Sequence, residues 1–240
     1  MTRKANYDII KKTAERSLLL NKKELFKRYI LFIAGLFFSG IGVAFARHCN
    51  LGVSPPSSVA NIMSMKYPFL SLGNWLIIWN CLMILGQILV LRRDFKLYQL
   101  LQIPLSFLFG FFTDFGMWCA SFIPADNYYV KLIILFIGIV ALALGIALTV
   151  IADVIMNSAS AFVKAMADKS KFEFGYIKVG FDVICVVTAV ILSVLFFDGE
   201  IIGTREGTVI SAIVTGFIIK FITKHIHKYA DKFITPESVL

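Results

Sequence analysis

Six predominantly apolar segments, each of about 18 residues or more, constrain the fold of this chain more than any other feature. About 20 apolar residues in an α-helix cross a hydrocarbon core of about 30 Å. A backbone in lipid must satisfy its own hydrogen bonds, so each segment is predicted to be a helix. The predicted spans cover residues 29–47, 73–91, 97–123, 130–153, 174–197 and 203–224.

The composition indicates the same class of protein. Apolar residues make up 58% of the chain and charged residues 16%, against about 45–50% and about 25% in soluble domains. The sequence therefore predicts an all-α membrane protein embedded in a lipid bilayer. It contains no phosphate-binding loop, hydrolase or zinc-protease motif, and its four cysteines are scattered, so we expect no enzyme, no cofactor and no metal.

The positions of lysine and arginine predict the orientation, because cytoplasmic loops carry an excess of both. With the N-terminus inside, twenty of the 24 lie in cytoplasmic segments, and outside are only Arg47, Lys66, Lys131 and Arg205. We therefore expect a multi-pass protein of a cell inner (plasma) membrane with both termini cytoplasmic. The net charge of +9 then reflects the lysines and arginines of the cytoplasmic segments, and no nucleic-acid partner is expected.

The two ends of the chain are predicted to lie at the cytoplasmic face. Residues 1–28 form a basic segment, with an amphipathic helix over residues 7–26 on the anionic leaflet. Residues 225–240 form a cytoplasmic tail.

Two short helices, over residues 56–65 and 158–168, are predicted after the first and fourth spans. Each reaches about 15 Å at 1.5 Å per residue, which is half of a bilayer. Ser54 is a plausible N-cap of the first, with Pro55 and Pro56 in its first turn, and Asn157 plays the same part in the second. Either the two helices re-enter the membrane, or they lie on its surface.

The two halves of the chain resemble each other in order. The matching residues are Gly40-Ile41-Gly42 with Gly145-Ile146-Ala147, Ser71-Leu72-Gly73 with Glu173-Phe174-Gly175, Asn80 with Asp182, and Gly110-Phe111 with Gly216-Phe217. Residues 29–123 and 124–224 are therefore predicted to be repeats of three spans and one short helix. Because three is odd, the second copy must be inverted. Inverted repeats are typical of transporters, although duplication in a scaffold protein gives the same pattern.

A candidate site for a small solute follows from the polar residues of the short helices and the spans. Helix N-termini suit an anion, and ionisable groups inside a membrane are costly and usually functional. Lys178 and Asp182 form an i,i+4 pair, although Lys178 can also reach the interface. Asn80, Gln87 and Gln102 can instead simply bond neighbouring helices. The candidate site residues are Ser54, Ser57, Ser58, Asn80, Asp114, Asn157, Ser158, Ser160, Lys178 and Asp182.

Three stretches resemble the YitT/YczE/YyaS-type integral membrane proteins of bacteria. They are LGVSPPSSVANIM, FGYIKVGFDVICV with its Lys178 and Asp182, and IIGTREGTVISAIVTGFIIKF with its Gly207, Thr208 and Gly216. The resemblance covers residues 31–224 and implies a bacterial inner-membrane protein of five or six helices. The chain departs from that family by having lysine and aspartate in place of arginine and glutamate, and no proline after Gly216.

Three functions are compatible with these features. The first is a transporter or channel for a small polar or anionic solute, with its site between the repeats at the membrane centre. The second is a membrane-embedded interaction or regulatory protein that moves no solute, which would have a dry centre. The third is a lipid-handling protein with a groove open to the bilayer. Oligomerisation is left open.

Overall fold

The structure, a computed structural model, describes residues 22–234 and is all-helical over them. Most of the predicted N-terminal segment and the last six residues of the tail lie outside the described residues. Six of the helices are long and apolar enough to cross a membrane, as expected for a multi-pass membrane protein. The helices are α1 (Lys22–His48), α2 (Pro55–Lys66), α3 (Leu72–Leu91), α4 (Gln102–Ala120), α5 (Tyr128–Ala152), α6 (Ser158–Lys169), α7 (Phe174–Phe196) and α8 (Glu206–Ile234).

Each predicted span corresponds to one of these helices, but several ends differ. Helix α1 begins at Lys22 instead of residue 29, and α8 continues to Ile234 instead of ending at residue 224. The span predicted from residue 97 opens with 3₁₀ turns at Arg92–Asp94 and Leu97–Leu101, and its α-helix begins at Gln102. The last span begins at Glu206 instead of residue 203. Gly203 has a φ of +73°, which a right-handed helix does not accommodate, so the helix starts after it.

The connections define two ends of the helix bundle. At the first, which we call the His48 end, the His48 ring lies 2.8 Å from the carbonyl oxygen of Ile123, just beyond α4. At the opposite end, the Asp94 end, Arg28 donates to the carbonyl of Ala152, and Lys169 pairs with Asp94. Helices α1, α4 and α7 therefore run in one direction between these two ends, and α3, α5 and α8 run in the opposite direction.

Helices α1 and α5 pack against each other through glycines at the centre of the molecule. A Cβ added to Gly145 would lie 2.5 Å from the carbonyl oxygen of Gly35, and one added to Gly42 would lie 2.6 Å from that of Gly138. Neither distance leaves room for a methyl group. Small residues are what allow two backbones to come this near.

The short helix α2 runs along one half of α7. In its first turn the Ser58 hydroxyl donates to the carbonyl of Cys185, halfway along the 23 residues of α7. In its last turn the Lys66 ammonium donates to the carbonyl of Phe196, where α7 ends. These two carbonyls are eleven residues apart, or about 16 Å. The N-terminus of α2 therefore lies beside the middle of α7.

The short helix α6 repeats this arrangement against α3. The carbonyl of Ser158, at its start, accepts from the Gln87 side chain. Its last residue, Lys169, is the one that pairs with Asp94 beyond the end of α3. Helices α2, α3, α6 and α7 thus form a ring in which each packs on two others. The Trp79 side chain packs against residues of both short helices.

The two repeats differ in one helix pair. In the first repeat α3 packs on α4, where a Cβ on Gly110 would lie 2.7 Å from the carbonyl oxygen of Gly73. In the second repeat α7 and α8 do not pack along their described lengths. The matching glycines, Gly175 and Gly216, have no atom of another segment within 4 Å of an added Cβ. One repeat is closed at this pair and the other is open.

Candidate functional site

The starts of the two short helices differ in what they offer a ligand. Ser54 is the N-cap residue of α2, but its hydroxyl donates to the Ser57 hydroxyl at 3.2 Å and caps no backbone N–H. The next two residues are prolines, which lack the N–H groups that an anion would use. In α6 the Asn157 side chain does cap, by accepting from the Ala159 N–H. The N-terminus of α2 is thus a weaker anion site than the sequence suggested.

A small cavity lined by both apolar and polar side chains lies between α1, α3, α4 and the start of α6. Asn80, Asn157 and Ser158, three of the predicted site residues, line it together with Ser106 and Gln102. Its volume is about 20 Å³, which holds about one water molecule. Asn80 is 7% exposed, and we find no hydrogen bond from its amide among the described residues. This amide is therefore available to whatever occupies the cavity.

A hydrogen-bond network closes one side of this cavity. The Gln87 amide donates to the Gln102 side chain at 3.0 Å and to the carbonyl of Ser158 at 3.1 Å, and Gln102 returns a bond to Gln87. The hydroxyl oxygens of Ser106 and Ser158 are 3.4 Å apart. The prediction that the two glutamines bond neighbouring helices is confirmed. Ser106 was not predicted, because a single serine in an apolar span carries no pattern.

The ion pair of Lys178 and Asp182 lies on α7 within a single turn. Both side chains are partly exposed, and Asp182 stands one turn before Cys185, whose carbonyl accepts from Ser58 in α2. Asn80 and Asp182 are matching residues in the two repeats, but Asn80 lines the cavity whereas Asp182 and Lys178 do not. Ser57 and Ser58 are buried in the first turn of α2.

Asp114 and Ser160 are not brought into the cavity. The Asp114 carboxylate accepts from the backbone N–H of Gly73 at 2.8 Å and from the Ser71 hydroxyl. It therefore sits over the first turn of α3 at the His48 end, where the partial positive charge of a helix start favours a carboxylate. Ser160 is partly exposed in the first turn of α6 and does not line the cavity.

Comparison with known proteins gives a family and no activity. Residues 26–224 match a family described as "Family of unknown function (DUF6198)". No curated protein matches the chain, and no solved structure does. The match shows no link to the YitT/YczE/YyaS-type proteins, so that resemblance stays a prediction.

Proposed function

Since the chain belongs to the DUF6198 family, whose function is unknown, its activity has to be argued from its own architecture, and we propose that it is a transporter or channel for a small polar solute. The solute site lies between the repeats and includes Asn80, Asn157, Ser158 and Asp182. The protein sits in a bacterial plasma membrane with the His48 end outside, the orientation that the lysine and arginine positions favour.

The observation that carries this proposal is the difference between the two repeats. Both have the same order of elements and the same packing of short helix on spanning helix, but α3 packs on α4 whereas α7 stands off from α8. Two copies of one unit in two conformations are what alternating access by rocking of one repeat requires. Exchanging the two conformations would close α7 on α8 and open α3 from α4.

The polar side chains beside the short helices give the solute its contacts. Asn80 supplies an unpaired amide next to the start of α6, and Asp182 supplies a carboxylate near the start of α2. A cavity of about 20 Å³ is too small for a solute larger than water. The described conformation is therefore a closed one, and transport requires the helices around this cavity to separate.

Flux measured in liposomes tests the proposal. The purified full-length protein is reconstituted and offered a panel of radiolabelled amino acids, small carboxylates and inorganic ions. We expect uptake of at least one solute over empty liposomes, lost in Asn80→Leu and Asp182→Asn and kept in Asp126→Asn, an exposed loop carboxylate. No uptake of any solute by folded wild-type protein would refute transport.

A second candidate function is a membrane-embedded interaction protein that moves no solute. It is favoured by the seam between α1 and α5, where Gly42 and Gly145 leave no space for even a methyl group. Such a protein would give no flux in liposomes and would co-purify with a partner from its native membrane. The flux experiment therefore separates the two candidates.

A further inference from the structure

A row of buried hydroxyl groups on α8 and the turn before it has no hydrogen-bond partner. Thr204 lies in the turn before the helix, and Thr208, Ser211 and Thr215 follow at spacings of three and four residues, which place these three on one face of α8. The four side chains are 7%, 1%, 1% and 9% exposed, in that order. No acceptor or donor within the described residues meets their hydroxyl oxygens.

Buried hydroxyls on α4 are satisfied, whereas that of Thr223, further along α8, is also without a partner. Ser106 and Thr113 on α4 donate to carbonyls one turn earlier, those of Gln102 and Phe109, at 2.7 and 2.9 Å. An unsatisfied buried polar group costs about 1–3 kcal/mol. Four in a row are a large cost for one helix, and a bound species that supplies the missing partners would remove it.

The side chain of Asn61 on α2 adds another buried oxygen that has no hydrogen-bond partner. Its side-chain nitrogen donates to the carbonyl of Gly203 at 2.9 Å, which fixes the amide orientation because only the nitrogen can face a carbonyl. The side chain is 1% exposed, and its oxygen has no partner. This oxygen can only accept, so it calls for a hydrogen-bond donor or a cation beside it. Gly203 directly precedes Thr204. The unpaired side-chain oxygens of Asn61 and Thr204 therefore both lie where α2 meets the turn before α8.

Gly52 lies directly against the Thr208 hydroxyl. It has a φ of +114°, and a Cβ added to it would collide with the Thr208 hydroxyl. The loop is held against α8 by the Gly207 N–H, which donates to the carbonyl of Leu51 at 2.9 Å. A residue larger than glycine here would cover the hydroxyl.

We propose that Asn61 Oδ1 and the hydroxyls of Thr204 and Thr208 bind a small monovalent cation at the His48 end, and that Ser211 and Thr215 extend its path along α8. Neutral oxygen atoms suit hard cations. The five side chains include no carboxylate, so they do not compensate the dehydration of a divalent ion. An anion is disfavoured because the Asn61 nitrogen is already engaged by Gly203.

The test uses the thermal stability of the purified full-length protein in detergent, in NaCl, KCl or choline chloride at one total salt concentration. A ligand that binds only the folded state raises the melting temperature. At ligand concentrations above the Kd, the stabilisation grows with the logarithm of the ligand concentration. We expect Na⁺ or K⁺ to raise it over choline in a saturable way. Thr204→Val and Thr208→Val should each weaken the apparent affinity about tenfold, the effect of one lost ligand.

Thr113→Val is the matched control, because it removes a buried hydroxyl that is already satisfied within α4. It should keep the wild-type response to the cation even if its melting temperature falls. If Thr208→Val does not fold, Thr204→Val, a substitution outside α8, still decides the question. Equal melting temperatures in all three salts, or a full cation response in both variants, would overturn the site.

This inference does not depend on transport, since binding is measured without flux. A cation response in a protein that moves no solute would leave the site standing and reject the transporter. Flux without a cation response would support transport and reject the cation site.

Discussion

Asp114 is a carboxylate inside a predicted span, yet its neighbours give it a structural task. It accepts from the Gly73 N–H and the Ser71 hydroxyl at the start of α3. From the sequence, Asp114 is a costly charge within a predicted span. The sequence could not show that its carboxylate meets the start of α3. A carboxylate over the first turn of a helix stabilises the N–H groups there.

Replacing Asp114 by alanine should therefore destabilise the protein more than it changes any flux. The loss of a charged cap costs roughly 1–2 kcal/mol, which we expect as a lower unfolding midpoint in detergent. Asp114→Asn keeps one acceptor oxygen and should lie between alanine and wild type. The measurement is a thermal or denaturant titration in parallel with the liposome assay.

The exposed carboxylate Asp126, at the same end of the molecule, is the control for Asp114. Asp126→Asn should leave both stability and flux unchanged. If Asp114→Asn abolished flux while leaving the unfolding midpoint at the wild-type value, Asp114 would belong to the solute site, as the sequence had predicted.

Residue-scale prediction succeeded where a side chain had one plausible partner type. Gln87 and Gln102 could bond other helices, since an amide in lipid must find a partner, and they do. The unpaired hydroxyls of Thr208 and Ser211 could not be predicted, because most hydroxyls in helices bond the preceding turn. Whether a given hydroxyl does so depends on packing that the sequence does not record.

At the scale of the elements, the glycine contact between α1 and α5 holds the two repeats together. Gly145→Ala places a methyl group against the Ser39 backbone and 2.5 Å from the Gly35 carbonyl oxygen. Backbone atoms cannot move aside, so the helices must separate. We expect a loss of roughly 1–3 kcal/mol, typical of overpacking, seen as a lower unfolding midpoint.

Gly180→Ala on α7 is the matched control for Gly145→Ala. An added Cβ there meets no other segment within 4 Å, and alanine favours a helix over glycine by up to about 1 kcal/mol. Its unfolding midpoint should equal or exceed that of wild type. Equal stability of Gly145→Ala and Gly180→Ala would show that the α1–α5 contact is looser than described.

The helices themselves were predictable, because apolar length sets a span in lipid. How far α2 reaches along the spanning helices was not predictable. Its length excluded a full crossing, but its position depends on the meeting of Ser58 with the carbonyl of Cys185 and of Lys66 with that of Phe196. These contacts join residues more than 120 positions apart, and no local pattern encodes them.

For the molecule as a whole, the order of elements could be read from the matching residues of the two halves, and an odd number of spans made the second copy inverted. The departure from symmetry could not be predicted. Gly73 and Gly110 pack together while their counterparts Gly175 and Gly216 stand apart, although the sequence gives both pairs the same residue type. Symmetric sequence with asymmetric packing indicates two conformations of one unit.

Closure of α7 on α8 is therefore the last prediction. Cysteines at Gly175 and Gly216, in a chain whose four native cysteines are replaced, should form a cross-link in membranes. The reason is that closure would bring them as near as Gly73 and Gly110 are now, within the range of about 4–7 Å between Cα atoms that a disulfide needs. A protease site inserted in the 198–205 loop detects the link, because linked halves stay together after cleavage. A transported solute should change the yield.

The pair Gly180→Cys with Gly216→Cys is the control for this cross-link. Gly180 is as unobstructed as Gly175, but five residues turn a helix by about 140°, so its side chain points away when Gly175 faces α8. This pair should stay unlinked under the same oxidant. No link at Gly175 and Gly216, with or without solute, would mean that the opening is fixed. A link only between two chains would mean that a second copy fills it. Either result would remove the main support for alternating access, since rocking of one repeat against the other requires the opening to close within a single chain.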